Sequence, residues 1–163
     1  MKTFYEEQQF NQPWLKILFF FILLVSFLPL IILINQEEFD TNSEEFWLLL
    51  ITNTLLVFLF LFLIRVLKLK IKIDTLGIHY AFYPFRNSLK TILWCEIKSC
   101  EVVSYSPIGD YGGWGYRISL KKGRALNVKG NKGIKIELLS GKKLLLGTQK
   151  PIEAQEAIAN FKK

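Results

Sequence analysis

The chain has 163 residues, 51% of them hydrophobic, and a formal charge of +7. That length suits one ordinary domain, or a small domain with a membrane segment, and excludes a multi-domain assembly. The charge is unevenly divided: residues 1–67 carry three basic side chains against seven acidic ones, net −4, while residues 68–163 carry eighteen against seven, net +11, so two environments are expected in one chain.

Residues 1–14 read as a short polar lead ending at Trp14, an aromatic placed where a membrane interface would be. Leu15 to Ile34 is then almost continuous hydrocarbon, long enough at about 1.5 Å per residue to cross about 30 Å of lipid. Lys16 sits at its edge, where it can snorkel, and Pro29 falls in its last third. A cleaved signal peptide is the rival reading, but the run is too long and no small-residue cleavage pattern follows it. The connector 35–45, NQEEFDTNSEE, has five acids and no base. Phe46 to Leu67 is the second apolar run, interrupted only at Thr52, Asn53 and Thr54, which are expected to hydrogen-bond between helices. Neither run shows a polar face, so neither reads as a helix of a soluble core.

At Lys68 the pattern changes within one residue. Lys68 to Asp74 alternates charged and apolar, with Leu69, Ile71 and Ile73 on one face of a strand. Further short strands are predicted at 78–85, 90–94, 100–105, 116–120, 125–128, 134–138 and 143–146, separated by Gly77, Arg86-Asn87-Ser88, Gly123, Gly130 with Gly133, and Ser140-Gly141. Four glycines between Gly109 and Gly115 predict a loop. Pro151 opens a helix with Ala154, Ala157, Ile158 and Phe161 on one apolar face, Glu153 and Glu156 near its start and Lys162 and Lys163 at its end. Seven or eight short antiparallel strands and one amphipathic helix predict a curved sheet or partial barrel, with the helix over an open end or an edge.

Positively charged Arg65, Lys68, Lys70 and Lys72 crowd the end of the second apolar run, opposite the acidic connector. The positive-inside rule then puts both termini and the basic half in the cytoplasm and the connector 35–45 outside. Cys95 and Cys100 are five apart, which on one continuous strand puts them on opposite faces, so reduced thiols are expected.

Several segments together resemble bacterial two-helix membrane proteins with a cytoplasmic pleckstrin-homology-like (PH-like) domain. These are Gly113-Trp114-Gly115 with Arg117, Asn127-Val128 followed by Gly130-Asn131-Lys132-Gly133, Glu137-Leu138, Gly141, Gly147 with Gln149, Pro151, and Trp94-Cys95-Glu96-Ile97. The resemblance is strongest over 109–158. It implies an anchor in the bacterial inner membrane and a strongly bent sheet of about seven strands capped by the C-terminal helix. It also implies a structural role for Gly113, Trp114, Gly115, Arg117, Gly130 and Gly133, and it implies no reaction.

Catalytic chemistry is hard to assemble from these residues. His79 is the single histidine, no G-x-S-x-G elbow exists, and the seven acids after Lys68 show no cluster. Only a cleft converging on His79, Glu96 or Glu137 would favour a small membrane enzyme. Gly109–Gly115 lacks the Gly-Lys-Ser/Thr of a phosphate loop, and the GXXG at 130–133 joins two strands rather than two helices. No cofactor and no metal are expected.

The basic residues carry the functional expectation. Lys121, Lys122, Arg124, Lys129, Lys132, Lys142 and Lys143, with Lys135 among them, crowd successive hairpins. They are solvated turn charges, or a face for anionic lipid headgroups or a protein partner; attachment to a membrane argues against nucleic acid. The reading is a non-enzymatic membrane adaptor, with an accessory or assembly subunit of a larger membrane complex as the alternative. Self-association through an open sheet edge or the Thr52–Thr54 segment is a further expectation.

Overall fold

The computed structural model describes residues 3–35, 43–85 and 87–162. Most of the acidic connector, with Glu37, Glu38 and Asp40, lies outside the described residues, as do Lys2, Arg86 and Lys163. The chain forms two compact units: residues 11–66, and the remainder, which joins the segment up to Phe10 to everything from Leu67 onward.

The first unit is a pair of helices, α1 (Pro13–Ile34) and α2 (Glu44–Val66), each long and apolar enough to cross a membrane. They start and end within two residues of the predicted runs. Pro13 occupies the first turn of α1, where its missing N–H costs nothing, and Pro29 is accommodated inside it. Phe19 of α1 stacks on Phe60 of α2 with ring centroids 4.8 Å apart. Phe20, Phe21 and Leu24 of α1 and Leu48, Ile51 and Phe58 of α2 are among the many large side chains left exposed. Such a surface is unfavourable in water and natural in hydrocarbon. Thr52, Asn53 and Thr54 donate to the carbonyls of Leu48, Leu49 and Leu50 at 2.7, 2.9 and 2.8 Å. These hydrogen bonds turn back onto α2 rather than crossing to α1, which corrects the expectation from sequence. A hydroxyl or amide four residues from a carbonyl on the same helix finds it with no second helix needed.

The second unit is mainly β. Its strands are β1 (Phe4–Gln9), β2 (Lys68–Ile73), β3 (Gly77–Tyr83), β4 (Lys90–Leu93), β5 (Ile97–Ser104), β6 (Gly115–Ser119), β7 (Gly123–Asn127), β8 (Lys132–Leu138) and β9 (Lys143–Gly147). Two helices complete it, α3 (Pro107–Tyr111) and α4 (Pro151–Phe161), with a 3-10 turn at Trp94–Glu96. One sheet has the order β1-β2-β3-β4 and the other β5-β8-β9-β7-β6. The described strands thus form two open sheets of four and five strands rather than one continuous bent sheet of about seven. β7 and β9 run parallel, Arg124 opposite Leu144, so the expectation of antiparallel pairing throughout is also corrected. The apolar faces meet in one core: Leu69, Ile71, Ile73 and Ile78 from the first sheet and Val128, Ile134, Ile136 and Leu146 from around the second are fully buried. α4 inserts Ala154, Ala157, Ile158 and Phe161, the face predicted from its spacing. The glycine-rich segment holds a short helix as well as a loop, because Ser106 accepts the Gly109 N–H at 3.1 Å and Pro107 fits the first turn.

The polar lead belongs to this unit. β1 pairs antiparallel with β2 over six residue pairs, from Phe4 opposite Ile73 to Gln9 opposite Lys68. Its inward side chains are Phe4, Glu6 and Gln8. Two of the three are polar, so hydrophobic alternation gives no sign of the strand. The end of β9 holds them: Glu6 accepts the Thr148 hydroxyl at 2.6 Å and the Gln149 N–H at 2.7 Å, and Gln8 donates to the Gly147 carbonyl at 2.6 Å.

Burial pushes the Glu6 carboxyl above its ordinary range, against the opposing pull of Thr148, Gln149 and Lys150. A carboxyl raised on folding stabilises the fold below its unfolded pKa and loses that contribution as pH rises through the folded value. Glu6→Gln should therefore flatten this part of the pH dependence. The difference in Tm between variant and wild type should be small near pH ~4 and move in favour of the variant by pH ~7. Thermal melts of the detergent-solubilised chain across that range provide the check, and a difference independent of pH would contradict it.

Candidate functional site

The two sheets share one core, but among the described residues only one margin between them is covered. At that margin α4 packs against β1 and β2 of one sheet and β5 and β8 of the other. Gln155 of α4 also accepts the Val102 N–H on the edge of β5 at 3.0 Å. The opposite margin is formed by the other terminal strands, β4 and β6, which do not pair with each other. A cleft of about 660 Å³ opens there. Its floor and walls include Tyr80, Ile92, Ile118, Leu120, Leu138 and Leu144. Ile118 and Leu120 are uncovered, at 68% and 104% exposure. A smaller slot of about 230 Å³, sharing Tyr80, Lys90, Arg124 and Leu144, adjoins it. Phe85 leans on Tyr116 there, with centroids 5.8 Å apart.

Five cations line the cleft: Lys90, Lys121, Arg124, Lys142 and Lys143. Among the described residues none of the five has a carboxylate within ion-pair distance, whereas Lys68, Lys70, Lys72, Lys98, Lys122, Lys135 and Lys150 all do. Glu96 is the one carboxylate in the lining, and it accepts the Leu93 N–H at 3.0 Å. The cleft is therefore an unneutralised positive site with an apolar floor. Such a site attracts a partner carrying both negative charge and apolar side chains. Comparison with family models, curated proteins and solved structures finds no match to this chain.

The predicted basic set divides in space. Lys121, Arg124, Lys142 and Lys143 converge on the cleft with Lys90, which the sequence reading had not joined to them. Lys122 turns to Asp110 at 2.6 Å and, with the Ser106 N–H, holds that carboxyl below its ordinary range. Lys135 lies 3.7 Å from Glu101. Lys129 and Lys132 belong to the other end of the five-stranded sheet. There the Lys129 carbonyl accepts the Gln149 amide at 2.5 Å and the Lys132 ammonium meets Ser104 at 2.6 Å.

The glycine–tryptophan segment gathers at that same end. Trp114 is half-buried and donates its indole N–H to the Gly130 carbonyl at 3.1 Å. Arg117 donates to the Trp114 carbonyl at 3.0 Å and lies over Gly113, where a Cβ would come within 3.3 Å of its guanidinium. Gly115 donates its N–H to Asn127, a fully buried side chain that in turn donates to the Tyr105 hydroxyl at 3.0 Å. Gly133 packs against Tyr105 and Leu146. Together these contacts fix the turn into β6 and so the position of one cleft wall.

His79 lies outside the cleft. Its ring nitrogens meet Asp74 at 3.0 Å and Thr91 at 2.8 Å across β3 and β4. Asp74 also faces Lys72 at 2.9 Å and accepts the Leu76 N–H at 2.9 Å. Burial would push the Asp74 carboxyl up, but His79, Lys72 and Leu76 outweigh it and hold it well below the carboxylate range. Of His79, Glu96 and Glu137, only Glu96 lines the cleft, and Glu137 faces Lys98 at 3.5 Å. The cysteines do not share a continuous strand: exposed Cys95 is in the 3-10 turn and half-buried Cys100 in β5, where burial pushes its thiol up to about 12.

Proposed function

We propose that this chain is a membrane-anchored adaptor, working without catalysis, whose PH-like module holds an acidic protein partner at the inner face of a cell membrane. The observation that carries the reading is the set of five cations without carboxylate partners around an apolar-floored cleft, in a chain whose other unit is a pair of spanning-length helices. Two open sheets closed on one side by a C-terminal helix support kinship with the PH-like group. Direct pairing of Gln9 with Lys68 means that the chain leaves the β unit for the helices and returns to it at one place. Together with the lysines of β2, this supports both termini on the cytoplasmic side.

A protein partner is favoured over lipid headgroups by the apolar part of the cleft. Ile118 and Leu120 are exposed beside the cations, and a polypeptide brings apolar side chains to cover them as well as carboxylates.

The test is binding of fluorescent polyglutamate to the full chain in phosphatidylcholine nanodiscs. The double reversal Arg124→Glu with Lys143→Glu should weaken binding at least about tenfold and abolish most of its salt dependence. Equal affinity for both chains would overturn the reading, as would loss of polyglutamate binding once phosphatidylglycerol is added, since headgroups would then be the occupant.

A further inference from the structure

The cleft offers backbone as well as charge. β6 ends its sheet, and no strand, backbone group or side chain caps the amides of Tyr116–Ser119 on the outer edge among the described residues. Two of the other three terminal strands each have an amide held by a side chain: Gln155 accepts from Val102 on β5, and Glu96 accepts from Leu93 at the end of β4. Exposed edges are ordinarily blunted by charge, proline or bulges. Within Gly115–Ser119 the single charged residue is Arg117, and its guanidinium already reaches back to the Trp114 carbonyl. Tyr116 and Ile118 alternate on this strand with Leu120 following, and all three are exposed large apolar side chains. An uncapped edge, alternating apolar positions and a row of free cations converge in one place.

We propose that the outer edge of β6 is a strand-addition site for an extended acidic segment of a partner protein. Its backbone continues the sheet, its side chains on one face cover Ile118 and Leu120, and carboxylates along it meet Lys121, beyond the end of β6, and the field of Arg124, one strand in from the edge. Backbone pairing supplies affinity in such complexes and alternate side chains supply selectivity. The inference rests on the adaptor reading and adds the form of the partner. It also accounts for the fully exposed Leu120, which a solvated turn would not require.

The experiment uses the full chain in phosphatidylcholine nanodiscs and three fluorescent nonapeptides: alternating glutamate and valine, the same peptide N-methylated at alternate residues, and nonaglutamate. The alternating peptide should bind at least about tenfold more tightly than its N-methylated twin, which cannot complete the ladder. It should also bind more tightly than nonaglutamate, and Ile118→Lys should erase that advantage. Hydrogen exchange in the complex should slow at Tyr116–Ser119. Equal binding of the methylated and unmethylated peptides would overturn strand addition while leaving the basic cleft as an anionic site. Absence of binding by every peptide, or indifference of all three to Arg124→Glu with Lys143→Glu, would overturn the adaptor reading itself. Unchanged far-UV circular dichroism of the variants, whose altered side chains are exposed, keeps misfolding out of the comparison.

Discussion

A chain that begins at Lys68 is expected not to fold stably, whereas residues 1–10 joined to 67–163 by an Asn-Gly turn should give a folded, detergent-free module. β1 covers the edge of β2, the strand that carries the fully buried Leu69, Ile71 and Ile73. Removing β1 deletes six residue pairs of ladder and the buried Phe4 ring, the latter alone contributing about 2 kcal/mol. It also exposes the end of β9, where Glu6 and Gln8 hold Thr148, Gln149 and Gly147. Set against the ~5–15 kcal/mol that stabilises an ordinary domain, that loss is decisive. The joined version keeps every one of these contacts. Because Gln9 and Lys68 are already partners, Phe10 and Leu67 need only a tight hairpin turn between them. Dispersed amide resonances for the joined chain and their absence for the truncated one would agree with this. A well-folded chain starting at Lys68 would show that β1 is dispensable.

The second large effect is expected at Gly123, the first residue of β7. Its φ is +80°, and a Cβ there would stand 2.3 Å from the Lys143 carbonyl oxygen and 2.9 Å from its carbonyl carbon. Left-handed backbone and a collision with backbone act together, so Gly123→Ala should cost about 2–4 kcal/mol. Gly141 is the control. Its φ is +78°, but nothing lies within 4 Å of the added atom, so Gly141→Ala should cost only about 1 kcal/mol. Comparing the two melts separates the steric part from the conformational part. Similar losses at both positions would mean that β7 and β9 are not as close as described. Since Gly123 and Lys143 both line the cleft, the damaging substitution should also weaken polyglutamate binding.

Elements with a strong period were legible from the residues alone. The alternation of β2 and the i, i+3, i+4, i+7 face of α4 are of this kind, while the two apolar helices were legible from the unbroken length of their runs. β1 was not, because Glu6 and Gln8 occupy inward positions that hydrophobic patterning reserves for apolar side chains; their reason is a hydrogen-bonding strand end that is 139 or more residues away in sequence. The parallel pairing of β7 with β9 was equally hidden, since strand order is not written in local alternation. Four of the cleft cations were found because hairpin tips bring them close in sequence. Lys90 was missed because only the meeting of two sheets brings β4 opposite β6. Asp110 and Glu101 drew Lys122 and Lys135 out of the set, a sorting by nearest countercharge that spacing cannot express.

The pairing of Gln9 with Lys68 also bears on how the molecule is made. The ribosome delivers β1 first, and its partner strand emerges only after both helices have been synthesised. If a single helix were to cross the bilayer, β1 and β2 would end on opposite sides of it and could never meet. On the proposed reading, in which both helices cross, completion of the four-stranded sheet requires β1 and β2 on the same side, and a chain in which they are separated would leave the β2 edge bare.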